Sequence, residues 1–184
     1  MRIPYVADPP PTSTAEEQAV VERVRARRAP RPLQPLDRAL LHSPAVADGW
    51  NTFLGAIRTR TSLAADVREL AISRVAVCNG AWYEWGHHAP LAAAAGVSDR
   101  ALDVVRREGE LPPRTDVGGD LLFDDRQWAV LAYTDEMTRR VRVGDDTFAA
   151  LRALFSDREI SEITATVGRA FSCRTLSSHI SSNM

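Results

Sequence analysis

The apolar positions of this chain recur at three- and four-residue spacing along most of its length. No stretch alternates in the two-residue rhythm of a strand. The clearest run is SLAADVRELAISRVAVCNG, where Leu63, Val67, Leu70, Ala71, Val75 and Val77 stand close to helical spacing. It stops at Asn79-Gly80, a pair suited to a left-handed helix end. The next helix is expected in WYEWGHHAPLAAAAG, ending at Gly96, and Ser98 is placed to cap another that closes at Gly109. Upstream, Thr14 with Glu17 reads as a capping box that opens a helix through Arg28. APRPLQP breaks that helix, and a short helix and a longer amphipathic one follow, separated by Pro44. After a polar loop with Pro112, Pro113, Gly118 and Gly119, three more helices are expected in DDRQWAVLAYTDEMTRRV, DDTFAALRALF and DREISEITATVGRAF. Ser156 with Glu159 makes a second capping box at the start of the last. The expected fold class is all-α.

Proline and serine placement suggests the organisation. All 11 prolines lie at or before Pro113, and most of them at or before Pro44. Residues 1–35 therefore read as an N-terminal arm and helix. Residues 36–171 read as one helical domain. The stretch 172–184, SCRTLSSHISSNM, offers little apolar surface to dock, and a loose tail is expected there.

Composition narrows the chemistry. The chain has 184 residues, enough for one domain with a sizeable core, and a net charge of −1 that gives no reason to expect nucleic acid or an anionic membrane as partner. All 23 basic residues are arginine. Without lysine, Schiff-base catalysis and a phosphate-loop lysine are excluded. Cys78 and Cys173 form no CxxC and no disulfide framework. No signal peptide and no membrane-length apolar run is visible, so a cytoplasmic location is expected.

The chemistry-bearing residues crowd into one helix. Glu84 and His88, at i and i+4, meet on one face. Glu69, on the preceding helix, can be folded back towards them by the Asn79-Gly80 turn. Two carboxylates around an imidazole would suit a general acid or base working near neutrality. Trp82, Tyr83 and Trp85 are candidates for an apolar substrate wall, with His87 beside them. The same features fit a bland reading, in which the pair is a surface ion pair and the tryptophans are core or interface anchors. Glu84, His87 and His88 have the ligand chemistry for a metal, but adjacent histidines diverge on a helix, and no metal or cofactor is expected.

RELAISRVAVCNGAWYEWGHHAPLAAAAGVS resembles the signature of the carboxymuconolactone decarboxylase family, which includes the alkylhydroperoxidase D proteins. The shared pattern is Arg-Glu-Leu, an apolar stretch, an Asn-Gly-like turn, a motif ending in histidine and a Gly-Val-Ser stop. A weaker likeness extends over residues 36–171. The resemblance implies the all-helical alkylhydroperoxidase D-like fold, assembled as a homo-oligomer (dimer, trimer or hexamer). In the peroxidase branch a glutamate, a CxxC pair and a histidine form a proton relay. Here that glutamate falls on Glu69 and the histidine on His88, while Ala81 and Glu84 occupy the cysteine positions. A thiol peroxidase needs both sulfurs, so the sequence sides with the decarboxylase branch.

The expected activity is therefore a cofactor-free decarboxylase or isomerase moving a proton on a small conjugated lactone or carbonyl acid. His88 would be the acid, Glu84 would tune it and Glu69 would complete the relay. Two alternatives stay open. One is a peroxiredoxin-like redox protein working through Cys78. The other is a non-catalytic oligomeric binding protein.

Overall fold

The computed structural model describes residues 3–180, with the backbone alone for 119–120, 171 and 173–180. Among the described residues every regular element is a helix. Among the described residues two compact units emerge, one formed by residues 3–60 with 175–180, the other by Thr61–Arg174.

The first unit contains α1 (Ala15–Arg28), α2 (Pro35–Leu40) and α3 (Pro44–Thr59). Half of the expected capping box forms: Thr14 Oγ1 accepts from the Glu17 amide at 3.1 Å, but the Glu17 carboxylate accepts from the Ser13 amide, one residue before the cap, at 2.6 Å. Val20, Val21 and Val24 of α1 pack against Leu40, Leu41 and Ala47. This shared core moves the division of the chain to Arg60, where the sequence reading expects it after Pro35. The reason is physical: the apolar face of α3 is buried against α1, and prolines 30, 32 and 35 mark turns inside the unit, not its edge.

The second unit is organised around α4 (Ala65–Cys78), which is buried along almost its whole length. Leu70 faces a core shared with α5 (Trp82–Ala94) and α6 (Asp99–Val105). Val67, Ala71, Ile72 and Val75 face another, shared with α8 (Asp125–Arg140), α9 (Asp145–Leu154) and α10 (Asp157–Ile180). A helix buried on all sides belongs at the centre of its domain. Removing the Leu70 side chain to alanine would cost about 2–5 kcal/mol on that account.

Three boundaries differ from expectation. The Ser98-capped helix ends at Val105, not Gly109, because the Arg74 guanidinium takes the carbonyls of Val105, Arg107 and Gly109 at 2.9, 2.7 and 2.7 Å. The polar loop contains a 3₁₀ turn, Arg114–Val117, and the short α7 (Gly119–Leu122). The expected loose tail is helical in its backbone as far as Ile180. Extending an existing helix needs no new nucleus, and Ser172 Oγ donates back to the Gly168 carbonyl at 2.9 Å. Residues 181–184 of the expected tail lie outside the described residues. No described helix is long and apolar enough to cross a membrane.

Candidate functional site

The turn between α4 and α5 builds the site. Asn79 caps α4, its amide donating to the Val75 carbonyl at 3.1 Å, and Gly80 takes the left-handed conformation at φ 61°. The Ala81 amide then donates to the Ala76 carbonyl at 2.7 Å, which doubles α5 back along α4. Glycine is needed at position 80 because a side chain there would strain the turn.

The doubled chain brings Glu69, Glu84 and His88 together. His88 is 1% exposed and Glu69 6%. Nδ1 of His88 stands 2.7 Å from Oε2 of Glu69, while Nε2 stands 3.5 Å from Oε2 of Glu84, one turn back on α5. Burial alone would push the Glu69 carboxyl up. The hydrogen bond and charge of His88, with Arg68 on the other oxygen at 3.2 Å, outweigh it and hold the carboxyl below its ordinary value. An ionised Glu69 only accepts, so Nδ1 carries the hydrogen of that bond and Nε2 is the nitrogen turned towards Glu84. The 3.5 Å separation is beyond a strong hydrogen bond.

Glu84 is the half-buried member, with 22% of its side chain exposed. It lines a narrow groove with Asn79, Ala81, Val75, Ile72 and Ala170. The groove is too narrow to hold a water molecule. Among the described residues no group of three or more His, Cys, Asp or Glu is arranged to hold a metal ion.

The four residues expected as a substrate wall do not line this groove. Trp82 is 44% exposed, with the Arg106 guanidinium 6.0 Å from its ring centre. Tyr83 is exposed and packs on the ring of His87 at 4.4 Å, and His87 Nδ1 bonds the Tyr83 carbonyl at 2.8 Å. Trp85 is half-buried against the core around Leu70 and Ala89. None of the four lines the groove beside Glu84. The 3.6-residue period explains this: positions 84 and 88 share a face, and 82, 83 and 87 project from others.

Sequence reasoning did not find Arg74 and Asp135. Arg74 is fully buried and donates to Asp135 Oδ1 at 2.7 Å as well as to the three loop carbonyls. Asp135 also accepts from the Leu111 amide at 3.1 Å and from Arg139 at 3.1 Å. Burial works against the charge on Asp135, but Arg74, the Leu111 amide and Arg139 hold its carboxyl below the usual range. The available signal was a single charged residue, Arg74, inside the run 70–77, which is apolar apart from it and Ser73. Cys78 is drawn into the same cluster, its thiol donating to Asp135 at 3.4 Å. Burial above all, with the Asp135 charge, pushes that thiol up to about 11. Such a group is not a ready thiolate at neutral pH.

Comparison with known proteins agrees with the fold. A protein of unknown function from Agrobacterium tumefaciens, associated by name with the antioxidant defence protein AhpD, superposes with a TM-score of 0.63 at 22% identity, covering 77% of this chain and 92% of that one. The debrominase Bmp8 superposes with a TM-score of 0.67 at 12% identity, over 92% of this chain and 86% of its own. A cysteine-to-alanine variant of Bmp8 in complex with 2,3,4-tribromopyrrole gives 0.64 at 12% identity, over 90% and 83%. No curated protein matches the chain closely enough to count as a relative. Residues 44–116 match the sequence pattern of the Carboxymuconolactone decarboxylase family. That match, on an all-helical fold like that of the AhpD-associated protein, makes residues 44–116 of this chain similar to the carboxymuconolactone decarboxylase family.

Proposed function

We propose that this chain is a cofactor-free decarboxylase or isomerase that moves a proton on a small conjugated lactone or carbonyl acid. The observation that carries the reading is the series Glu69–His88–Glu84, which runs from a buried carboxylate through an imidazole to the edge of a groove. Loss of CO2 leaves an electron pair that delocalises into the conjugated carbonyl, and a carbon must then take up one proton. Glu84 reaches the groove, whereas His88 is enclosed. Glu84 therefore delivers the proton, His88 resupplies it through Nε2, and Glu69 keeps Nδ1–H oriented and offsets the imidazolium charge. This exchanges the roles that the sequence reading gave to His88 and Glu84. The likeness to a debrominase whose variant holds a brominated pyrrole is in keeping with a small flat ring as ligand.

The test is turnover of 4-carboxymuconolactone, followed by its absorbance, for wild type and His88→Gln side by side. Activity in the wild type that falls by about 100-fold or more in the variant supports the reading. Equal rates in both remove His88 from the chemistry. The tightness of the groove favours one other reading, a non-catalytic oligomeric protein in which the same three residues are structural. Under that reading His88→Gln lowers the melting temperature, and the wild type turns over no lactone.

A further inference from the structure

We infer that Asn79 is the oxyanion-binding residue of this site, its side-chain amide donating a hydrogen bond to the carbonyl oxygen of the bound substrate as negative charge develops there. The inference rests on the proposed proton-transfer reaction and adds the one function that Glu69, His88 and Glu84 cannot perform. Two carboxylates and an imidazole can supply a proton, but two carboxylates cannot stabilise an enolate oxygen.

Asn79 lines the same groove as Glu84. Its Nδ2 is shielded from solvent and has no hydrogen-bond partner among the described residues. Buried polar groups are nearly always bonded, so an amide left unsatisfied beside a titratable pair calls for a ligand or a water to complete it. The groove leaves no space for a water. A substrate that parts the groove would meet that amide.

The local backbone does not account for asparagine here. Asparagine is favoured at helix ends because it tolerates the left-handed conformation. Asn79 has φ −97° and ψ 0°, open to ordinary side chains, and it is Gly80 that adopts φ 61°. The capping bond at position 79 is made by the peptide amide to Val75, not by the side chain. The turn thus makes no use of the Asn79 side-chain amide. A neutral amide donor is also what suits a developing oxyanion.

In the reaction, the bond to the departing carboxylate breaks, CO2 leaves and the electron pair moves onto the carbonyl oxygen, where Asn79 donates. The pair returns as Glu84 gives its proton to carbon; His88 resupplies that proton, and the relay regains it from solvent at Glu84, its exposed end. One proton is consumed, and no electron donor or acceptor is required.

The test uses tetronate, the stable enolate of a small lactone, as a probe of the oxyanion site. Binding by calorimetry and turnover of 4-carboxymuconolactone are measured for wild type, Asn79→Ala, Asn79→Asp and His88→Gln. We expect tetronate to bind the wild type, to bind Asn79→Ala about tenfold more weakly or worse, and not to bind Asn79→Asp, where a carboxylate faces the anion. His88→Gln should keep tetronate and lose turnover. In Asn79→Ala, kcat should fall by about 100-fold with little change in KM. Should the alanine variant fail to fold, the isosteric Asn79→Asp carries the same comparison. Tetronate that ignores the wild type, or that binds Asn79→Ala equally well, overturns the assignment. Asn79-dependent binding without any lactone turnover keeps Asn79 as the oxyanion donor and rejects the decarboxylase reading alone.

Discussion

Oε2 of Glu69 and Nδ1 of His88 stand 2.7 Å apart, although the two residues are separated by 19 positions and lie on different helices. The contact exists because Gly80 lets α5 return along α4, and both partners are buried where it forms. A charged carboxylate in such a place is stabilised by its imidazole, and the imidazole is held in one orientation by the carboxylate.

Glu69→Gln tests this pairing. The variant keeps a hydrogen-bond acceptor for Nδ1 but removes the charge, so lactone turnover should fall by about 100-fold. The Glu69 carboxyl is held below its ordinary value, so its contribution to stability is complete above the unfolded-state value. That contribution disappears as pH falls through the lower folded value. The stability difference between wild type and variant, measured by urea titration, should therefore be about 1–3 kcal/mol at pH 7 and shrink as the solution is acidified below pH 4.5, the ordinary value for glutamate. A difference that grows on acidification would contradict the pairing.

Arg74→Met should be among the most damaging substitutions in the protein. It leaves the Asp135 carboxylate buried with Arg139, the Leu111 amide and the Cys78 thiol as partners and removes the Arg74 bonds to the carbonyls of Val105, Arg107 and Gly109. Breaking one side of a buried ion pair costs about 3–5 kcal/mol. The double variant Arg74→Met/Asp135→Leu should be less destabilised than Arg74→Met, since no charge is then stranded. Denaturant midpoints of the two variants decide the matter.

Cys78 should resist alkylation. With its thiol pushed up to about 11, only about one molecule in ten thousand is thiolate at pH 7. In a Cys173→Ser background, iodoacetamide labelling at neutral pH should be at least about tenfold slower than that of an unperturbed cysteine. It should accelerate with pH past 9. Fast labelling at pH 7 would restore the peroxidase reading.

The start of α10 offers a separate acid-sensitive element. Glu159 accepts from the Ser156 amide at 2.9 Å and from Arg126 at 2.6 Å, and its carboxyl is lowered to about 2, first by the Ser156 amide and then by Arg126. Its stabilising share is present above pH 4.5 and lost towards pH 2. Most of that site is open to solvent, so Glu159→Gln should cost only about 1 kcal/mol at pH 7, as a lost helix cap does. Thermal melts at pH 7 and near pH 2 should show the difference and then its disappearance.

The helices, the Ser156–Glu159 capping box, the Thr14 cap and the approach of Glu69 to His88 were legible in the sequence. Helical periodicity, Thr14 with Glu17, Ser156 with Glu159 and the Asn79-Gly80 stop are local signals that act within a few residues of where they are read. What was not legible depends on neighbours far along the chain. Val105–Gly109 leaves its helix because Arg74, 31 to 35 positions away, takes its carbonyls. The aromatic residues turn away from Glu84 because the core around Leu70 claims Trp85 and the helical period sends Trp82 and Tyr83 outward.

By itself the sequence determined the all-helical class, the reversal at residues 79–80 and the set of titratable groups on the two helices that flank it. Only the tertiary structure decided which of those groups is enclosed and which meets the groove, and it alone revealed the unpartnered amide of Asn79. The physical reason is that helix formation is settled by bonds within one turn. Burial, the direction of a carboxyl shift and the satisfaction of a polar atom are set by whatever the rest of the fold packs against them.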